Sequence, residues 1–274
     1  PVLTTRTLSG NFPMIKSIAY PHGTMTALGL KLTEDVEGNP EVDELTEKQM
    51  SKELKQLPRL VKRFGEEGIF TNFSTVEAKD YVEGVITSLG AISSQVFSPN
   101  ILFLPFKPDK ISKSSLKRIA RTSRDMEKGL IIFDRDRELG LGSEKDIHLW
   151  ISSRVLEKDF EDDRYFDLAG LIANEIKENW DGVINFHMCV EEEKERRGKN
   201  YLQKLVSEAR FSQRDITINI EENDFIGSLK NAQDGDLHII PFEISSIDEI
   251  FKSLEVENKS YLFVSDSGKE NLLS

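Results

Sequence analysis

Short apolar runs of strand length alternate with segments of helical spacing along the whole chain, and no other feature limits its fold as strongly. Strands joined by such segments pair in parallel, because a long crossover is needed to return the chain to the end where the first strand began. In the first half the runs are Val2 to Leu8, Met25 to Leu32, Ile69 to Phe73, Ile101 to Phe106 and Leu130 to Phe133. In the second half they are Ile147 to Ile151, Val183 to Val190, Ile216 to Ile220, Leu237 to Phe242 and Tyr261 to Val264. Between them, Leu54, Leu57, Leu60, Val61 and Phe64 follow the three-and-four spacing of one helical face, as do Val82, Val85, Ile86, Leu89 and Ile92. Phe166, Ala169, Ile172, Ala173 and Ile176 form a third stripe, and Tyr201, Leu202, Leu205, Val206 and Ala209 a fourth. The pattern predicts an α/β protein of two similar, doubly wound, mostly parallel five-stranded subdomains. Each would have the strand order 3-2-1-4-5, with its fifth strand as an unpaired edge.

A length of 274 residues exceeds the usual single-core domain of about 100 to 200 residues. The polar segment Asp134 to Lys145, with Gly140 and Gly142, falls between the fifth and sixth runs and predicts a boundary, giving subdomains 1–140 and 141–274. The acidic segment Thr33 to Thr46 reads as a loop, and Glu191 to Arg197 as a solvated helix start. Residues 1–142 carry 20 basic and 19 acidic side chains, whereas residues 143–274 carry 16 and 29. The second subdomain is therefore the acidic one.

A net charge of −12 opposes nucleic acid, whose binding rests on basic groups neutralising phosphates. No stretch approaches the roughly 20 apolar residues of a membrane-spanning helix. Cys189 is the only cysteine and sits in the apolar run VINFHMCV, so it reads as a buried thiol. Neither GxGxxG nor GxxxxGK[ST] occurs, and Ser9-Gly10-Asn11 reads as an ordinary turn and helix cap. Glu191, Glu192, Glu193, Glu221 and Glu222 cluster where the second half would have to hold an anion. The first half offers Lys107 and Lys110, but Pro105 and Pro108 reduce the backbone donors beside them. His22, His148, His187 and His238 lack the spacing of a zinc site; His148 and His238 read as packed core histidines. Cys189 and His187, two apart on one strand, lack an orienting third group. No catalytic residue, cofactor, metal ion or small-molecule ligand is expected.

Several segments, in order, resemble the C-terminal cytosolic domain of cation-chloride cotransporters. Asp80 to Lys110 is similar to that family's helix and following strand, with Pro99, Asn100, Leu102, Leu104, Phe106, Lys107 and Asp109 at matching places. Ser98, Pro105 and Lys110 depart from it. KGLIIFDRDREL and KDIHLWIS resemble the strand that closes the family's first subdomain and the one that opens its second, with Ile147 and Trp150 kept and Ile151 in place of a tryptophan. Leu168 to Val190, LHIIPFE and SYLFVSD resemble the later helices and strands, and the opening LSGNFPMIKSIAYPHG the family's first turn.

The resemblance implies a fold similar to universal stress proteins and a compact prokaryotic type without long phosphorylated insertions. It also implies a non-catalytic regulatory domain on the cytoplasmic face of the membrane, joined to a transmembrane transport domain of the same polypeptide and forming a homodimer. An unpaired fifth strand would offer a dimer contact through Tyr261, Leu262 and Phe263, with Ile247, Ile250, Phe251 and Leu254 on the preceding helix. The alternative reading is a tandem universal-stress-type sensor that binds a nucleotide.

Overall fold

The computed structural model describes residues 5–33, 58, 59, 61–93, 98–106, 111–157, 160, 165–209, 211, 213–222, 224–232 and 237–273. Most of the expected acidic loop, together with Leu54, Leu57, Leu60, Lys107 and Lys110, lies outside these residues. The chain divides into two compact units, Pro1–Lys128 and Gly129–Ser274.

In the first unit, helix α1 (Thr5–Ala19) leads into strand β1 (Thr24–Leu32), which pairs in parallel with β2 (Phe70–Ala78). Helix α2 (Tyr81–Ser93), strand β3 (Ile101–Pro105) and helix α3 (Lys113–Asp125) follow. Ile15, Ala27, Val61, Phe64 and Ile69 form a core that Phe12, Met25 and Phe103 flank. The expected strand Val2 to Leu8 is not one: from Thr5 onward it belongs to α1, and Ser9-Gly10-Asn11 is helix interior rather than a turn. The buried set Asn11, Met14 and Ile15 has helical spacing, and a short apolar run cannot by itself separate the two periods. Gly84 lets α2 approach β1 closely, since a Cβ there would stand 2.6 Å from Leu30 Cδ1.

The second unit holds strands β4 (Gly129–Asp134), β5 (Asp146–Trp150), β6 (Val183–Cys189), β7 (Ile216–Glu221), β8 (Leu237–Pro241) and β9 (Tyr261–Ser265). Their order is β4-β9-β8-β5-β6-β7. The pairs β8–β9, β5–β8, β5–β6 and β6–β7 are parallel, and β4–β9 is antiparallel. Helices α4 (Asp167–Trp180), α5 (Glu195–Glu208), α6 (Phe225–Asn231) and α7 (Ile247–Ser253) are the crossovers. The predicted stripes are buried, with Ala169, Ile172, Ala173 and Ile176 on α4 and Leu202, Leu205 and Val206 on α5.

Strand β9 corrects the expected edge. It is paired along both sides, by β4 and β8, and all five of its residues are buried. Strand β4 pairs with β9, so the second unit begins before it, at Gly129. The segment after β4 is fastened to β9: Asp136 N donates to Ser260 Oγ at 3.0 Å, and the Ser260 hydroxyl donates to Gly140 O.

Candidate functional site

Successive side chains of a strand point to opposite faces, so His148 and Trp150 share a face of β5, as do Asn185, His187 and Cys189 on β6. Parallel register sets His148 beside His238 of β8, and Trp150 beside His187. The result is a stacked array. The His148 and His238 rings lie 4.6 Å apart at 14°, and Trp150 and His187 4.3 Å apart at 18°. Phe225, at the start of α6, meets Trp150 edge-on at 5.6 Å. The opposite face is apolar, with Ile147, Leu149, Ile184, Phe186, Met188 and Ile239 fully buried.

Hydrogen bonds fix the tautomers in this array. Glu221 Oε1 lies 3.2 Å from His187 Nδ1, which as the donor carries the proton. His187 Nε2 therefore accepts from His148 Nδ1–H at 2.9 Å. Trp150 Nε1–H donates to His238 Nδ1 at 3.1 Å, leaving the His238 proton on Nε2. Burial lowers His187 to about 4 and holds His238 well below the ordinary 6.5, so both rings are neutral near pH 7. Burial raises the Cys189 thiol, which is half-buried rather than fully buried as its apolar run suggests. His187 bonds to His148 and Glu221 rather than to Cys189, so no thiolate nucleophile is assembled.

Above the rings, at the carboxyl ends of β5, β6, β7 and β8, lies a crevice of about 370 Å³. Strand order reverses at β5, since β6 lies on one side and β8 on the other, and doubly wound sheets open their crevices at such a point. Trp150, Cys189 and Phe225 reach its wall, and Glu191, Glu222, Asp224 and Glu249 outnumber Arg154 and Lys194 around it. The cations are partly neutralised: Lys194 pairs with Glu191 at 3.2 Å and Arg154 with Glu243 at 3.7 Å. Asp224 caps α6 with its own carboxylate, accepting from Gly227 N at 2.9 Å. The surplus of carboxylates opposes a phosphate in this crevice. Among the described residues no three His, Cys, Asp or Glu side chains gather as a metal site.

The sequence located these residues on strands but did not bring them together. Convergence of three histidines from β5, β6 and β8 depends on register; the readable trace is the alternation of His148 with Trp150 and of His187 with Cys189. Of the residues expected at a dimer contact, Tyr261, Leu262, Phe263, Ile247 and Ile250 are buried within the chain, while Phe251 and Leu254 are half-buried. The premise of an apolar edge strand there is removed.

The fold is α/β with mostly parallel strands, and it is similar to that of universal stress proteins. A universal stress protein from Archaeoglobus fulgidus matches with a TM-score of 0.56 and 10% identity, over 93% of this chain and 88% of its own. A functionally unknown protein from Pseudomonas aeruginosa PAO1 matches with a TM-score of 0.57 and 11% identity, over 94% and 88%. At such identities the likeness is one of fold alone. The crystal structure of the cytoplasmic domain of a prokaryotic cation chloride cotransporter matches with a TM-score of 0.80 and 28% identity, over 100% of this chain and 96% of that one. No curated protein matches. Two family models span the chain in order, for the first and second parts of the prokaryotic cation-chloride cotransporter C-terminal domain, at residues 1–141 and 142–273. The chain belongs to the prokaryotic cation-chloride cotransporter C-terminal domain family.

Proposed function

We propose that this chain is the cytosolic, non-catalytic regulatory and dimerisation domain of a membrane protein that moves chloride together with cations. The observation that carries the reading is the ordered match of both family models over residues 1–273. The site chemistry agrees with it. Neutral stacked imidazoles, a half-buried thiol whose pKa is raised and a net-acidic crevice provide neither an activated nucleophile nor a phosphate cradle. Among the described residues no helix is long and apolar enough to cross a membrane, so these residues act from outside the bilayer while the transport domain provides the spans. Regulation then works through surfaces, by the domain taking up different contacts in different transport states.

Protease protection in sealed vesicles tests the placement. With the full-length protein, these residues are cut in inside-out vesicles and protected in right-side-out ones; the reverse pattern contradicts the reading. Sedimentation of the chain tests pairing separately. A dimer mass supports it, and a monomer at all concentrations removes the dimerisation role while leaving the placement intact.

A further inference from the structure

Helix α3 (Lys113–Asp125) presents an exposed basic face on the first unit. Ser112 caps its first turn, accepting from Ser115 N at 3.1 Å, and Leu116, Ile119, Ala120 and Ser123 are its buried residues. At about 100° per residue, these four span an arc of about 100°. Lys113, Lys117, Arg118, Arg121 and Arg124 occupy an arc of about 140° on the other side. Arg118, Arg121 and Arg124 are exposed, and Lys117 is half-buried. Asp125, at the C-terminal end of the arc, is the only acidic residue of the helix. Among the described residues, Lys117, Arg118, Arg121 and Arg124 form no ion pair.

The spacing makes this face unfavourable to leave bare. Lys113 and Lys117 are four residues apart, as are Lys117 and Arg121, while Arg118 and Arg121, and Arg121 and Arg124, are three apart. Residues at these separations are neighbours on a helix surface, and like charges there repel. A face kept only for solubility interleaves the two signs, as Lys204 does with Glu208 on α5. Five basic residues against one acidic leave α3 with an excess of four positive charges, in a chain whose net charge is −12.

We propose that this face of α3 docks on an anionic phospholipid surface. The inference rests on the placement proposed above, beside the membrane that carries the transport domain. Headgroup phosphates form a plane of negative charge, and a 13-residue helix, about 20 Å long, sets its basic arc along that plane. Screening decides between the local face and the whole chain. At about 0.1 M salt charges act over about 10 Å, half the length of the helix, so a surface touching α3 meets the basic arc and not the chain's total of −12. The helix has no aromatic side chain on which a nucleic-acid base could stack. The acidic side of a second copy is a poorer fit, because Glu178, Asp181, Glu191 and Glu208 already pair with lysines of their own chain.

Co-sedimentation of the 274-residue chain with vesicles tests the proposal. The chain should bind vesicles of phosphatidylcholine mixed with about one-third phosphatidylglycerol at about 0.1 M salt, ignore vesicles of phosphatidylcholine alone, and be released at about 1 M salt. At about fivefold per basic group removed, Arg118→Gln with Arg121→Gln should weaken binding about 25-fold without moving the thermal transition, both side chains being exposed. Arg196→Gln with Arg197→Gln, at the start of α5, removes the same charge elsewhere and should change binding less than about twofold. No binding to the mixed vesicles, equal binding to both kinds, or undiminished binding by the Arg118 and Arg121 variant would overturn the proposal. So would a change in that variant's sedimentation mass without vesicles, which would assign the face to a second copy. Protease protection reads the topology independently, so the placement and the lipid contact can each fail alone.

Discussion

Replacing His187 by Gln should flatten the acid side of the stability profile of the unit formed by residues 129–274. The buried His187 ring stays neutral down to about 4, whereas in the unfolded chain it takes up a proton near its ordinary 6.5. Because its pKa is depressed in the folded state, its contribution is present above pH 6.5 and disappears as pH falls through about 4. Over that window, at about 1.4 kcal/mol per pH unit, the loss totals about 3 kcal/mol. Gln carries an oxygen to accept from His148 and an amide to donate to Glu221, so it replaces the ring's hydrogen bonds without titrating. Both tryptophans, Trp150 and Trp180, lie in this unit, so tryptophan fluorescence during urea unfolding follows it selectively. Asp134 and Asp266, raised to about 6 and about 7, act in the opposite direction, favouring the fold as pH falls. Only the difference between native and variant profiles therefore isolates His187. Between pH 7 and about pH 4.5, native protein should lose about 2.5 kcal/mol more than His187→Gln. Profiles parallel to within about 0.5 kcal/mol would refute the buried neutral ring.

Trp150→Phe removes the donor to His238 Nδ1 and leaves that atom buried without its partner; thermal unfolding should show a loss of about 1–3 kcal/mol. Gly84→Val forces α2 away from Leu30 and should destabilise the first unit by about 1–3 kcal/mol by circular dichroism, while leaving tryptophan fluorescence transitions unchanged. Leu262→Lys places a charge in the centre of a doubly paired, buried strand. It should cost more than about 3 kcal/mol and abolish the folded second unit; a folded variant of altered mass would instead mark an interface.

The second half of the fold is nearly complete in its sequence. Runs read as Ile147 to Ile151, Val183 to Val190, Ile216 to Ile220, Leu237 to Phe242 and Tyr261 to Val264 correspond to β5 through β9, because parallel strands buried on both faces read as near-continuous apolar stretches. The same property hides strand order. Nothing in an apolar run records which neighbour it will have, so the antiparallel pairing of β9 with β4, which sets Leu130 opposite Ser265 and Asp134 opposite Tyr261, has no local signal, and the sequence places Tyr261 to Val264 at an edge. Val2 to Leu8 reads as a strand for a different reason, since a short apolar run fits either period, while Thr5 onward is helix. The site was legible in kind but not in place. Carboxylates at Glu191 and Glu222 were readable as opposed to phosphate, whereas the contact of His148, His187 and His238 exists only once three strands are in register.

Chloride flux in vesicles reconstituted with the full-length transporter, compared with the same protein lacking residues 1–274, bears most directly on the role of this domain. The account predicts that transport persists without the domain but loses its dependence on conditions on the cytosolic side. Identical flux and identical dependence in the two proteins would contradict it, as would measurable turnover of a small substrate by the isolated chain.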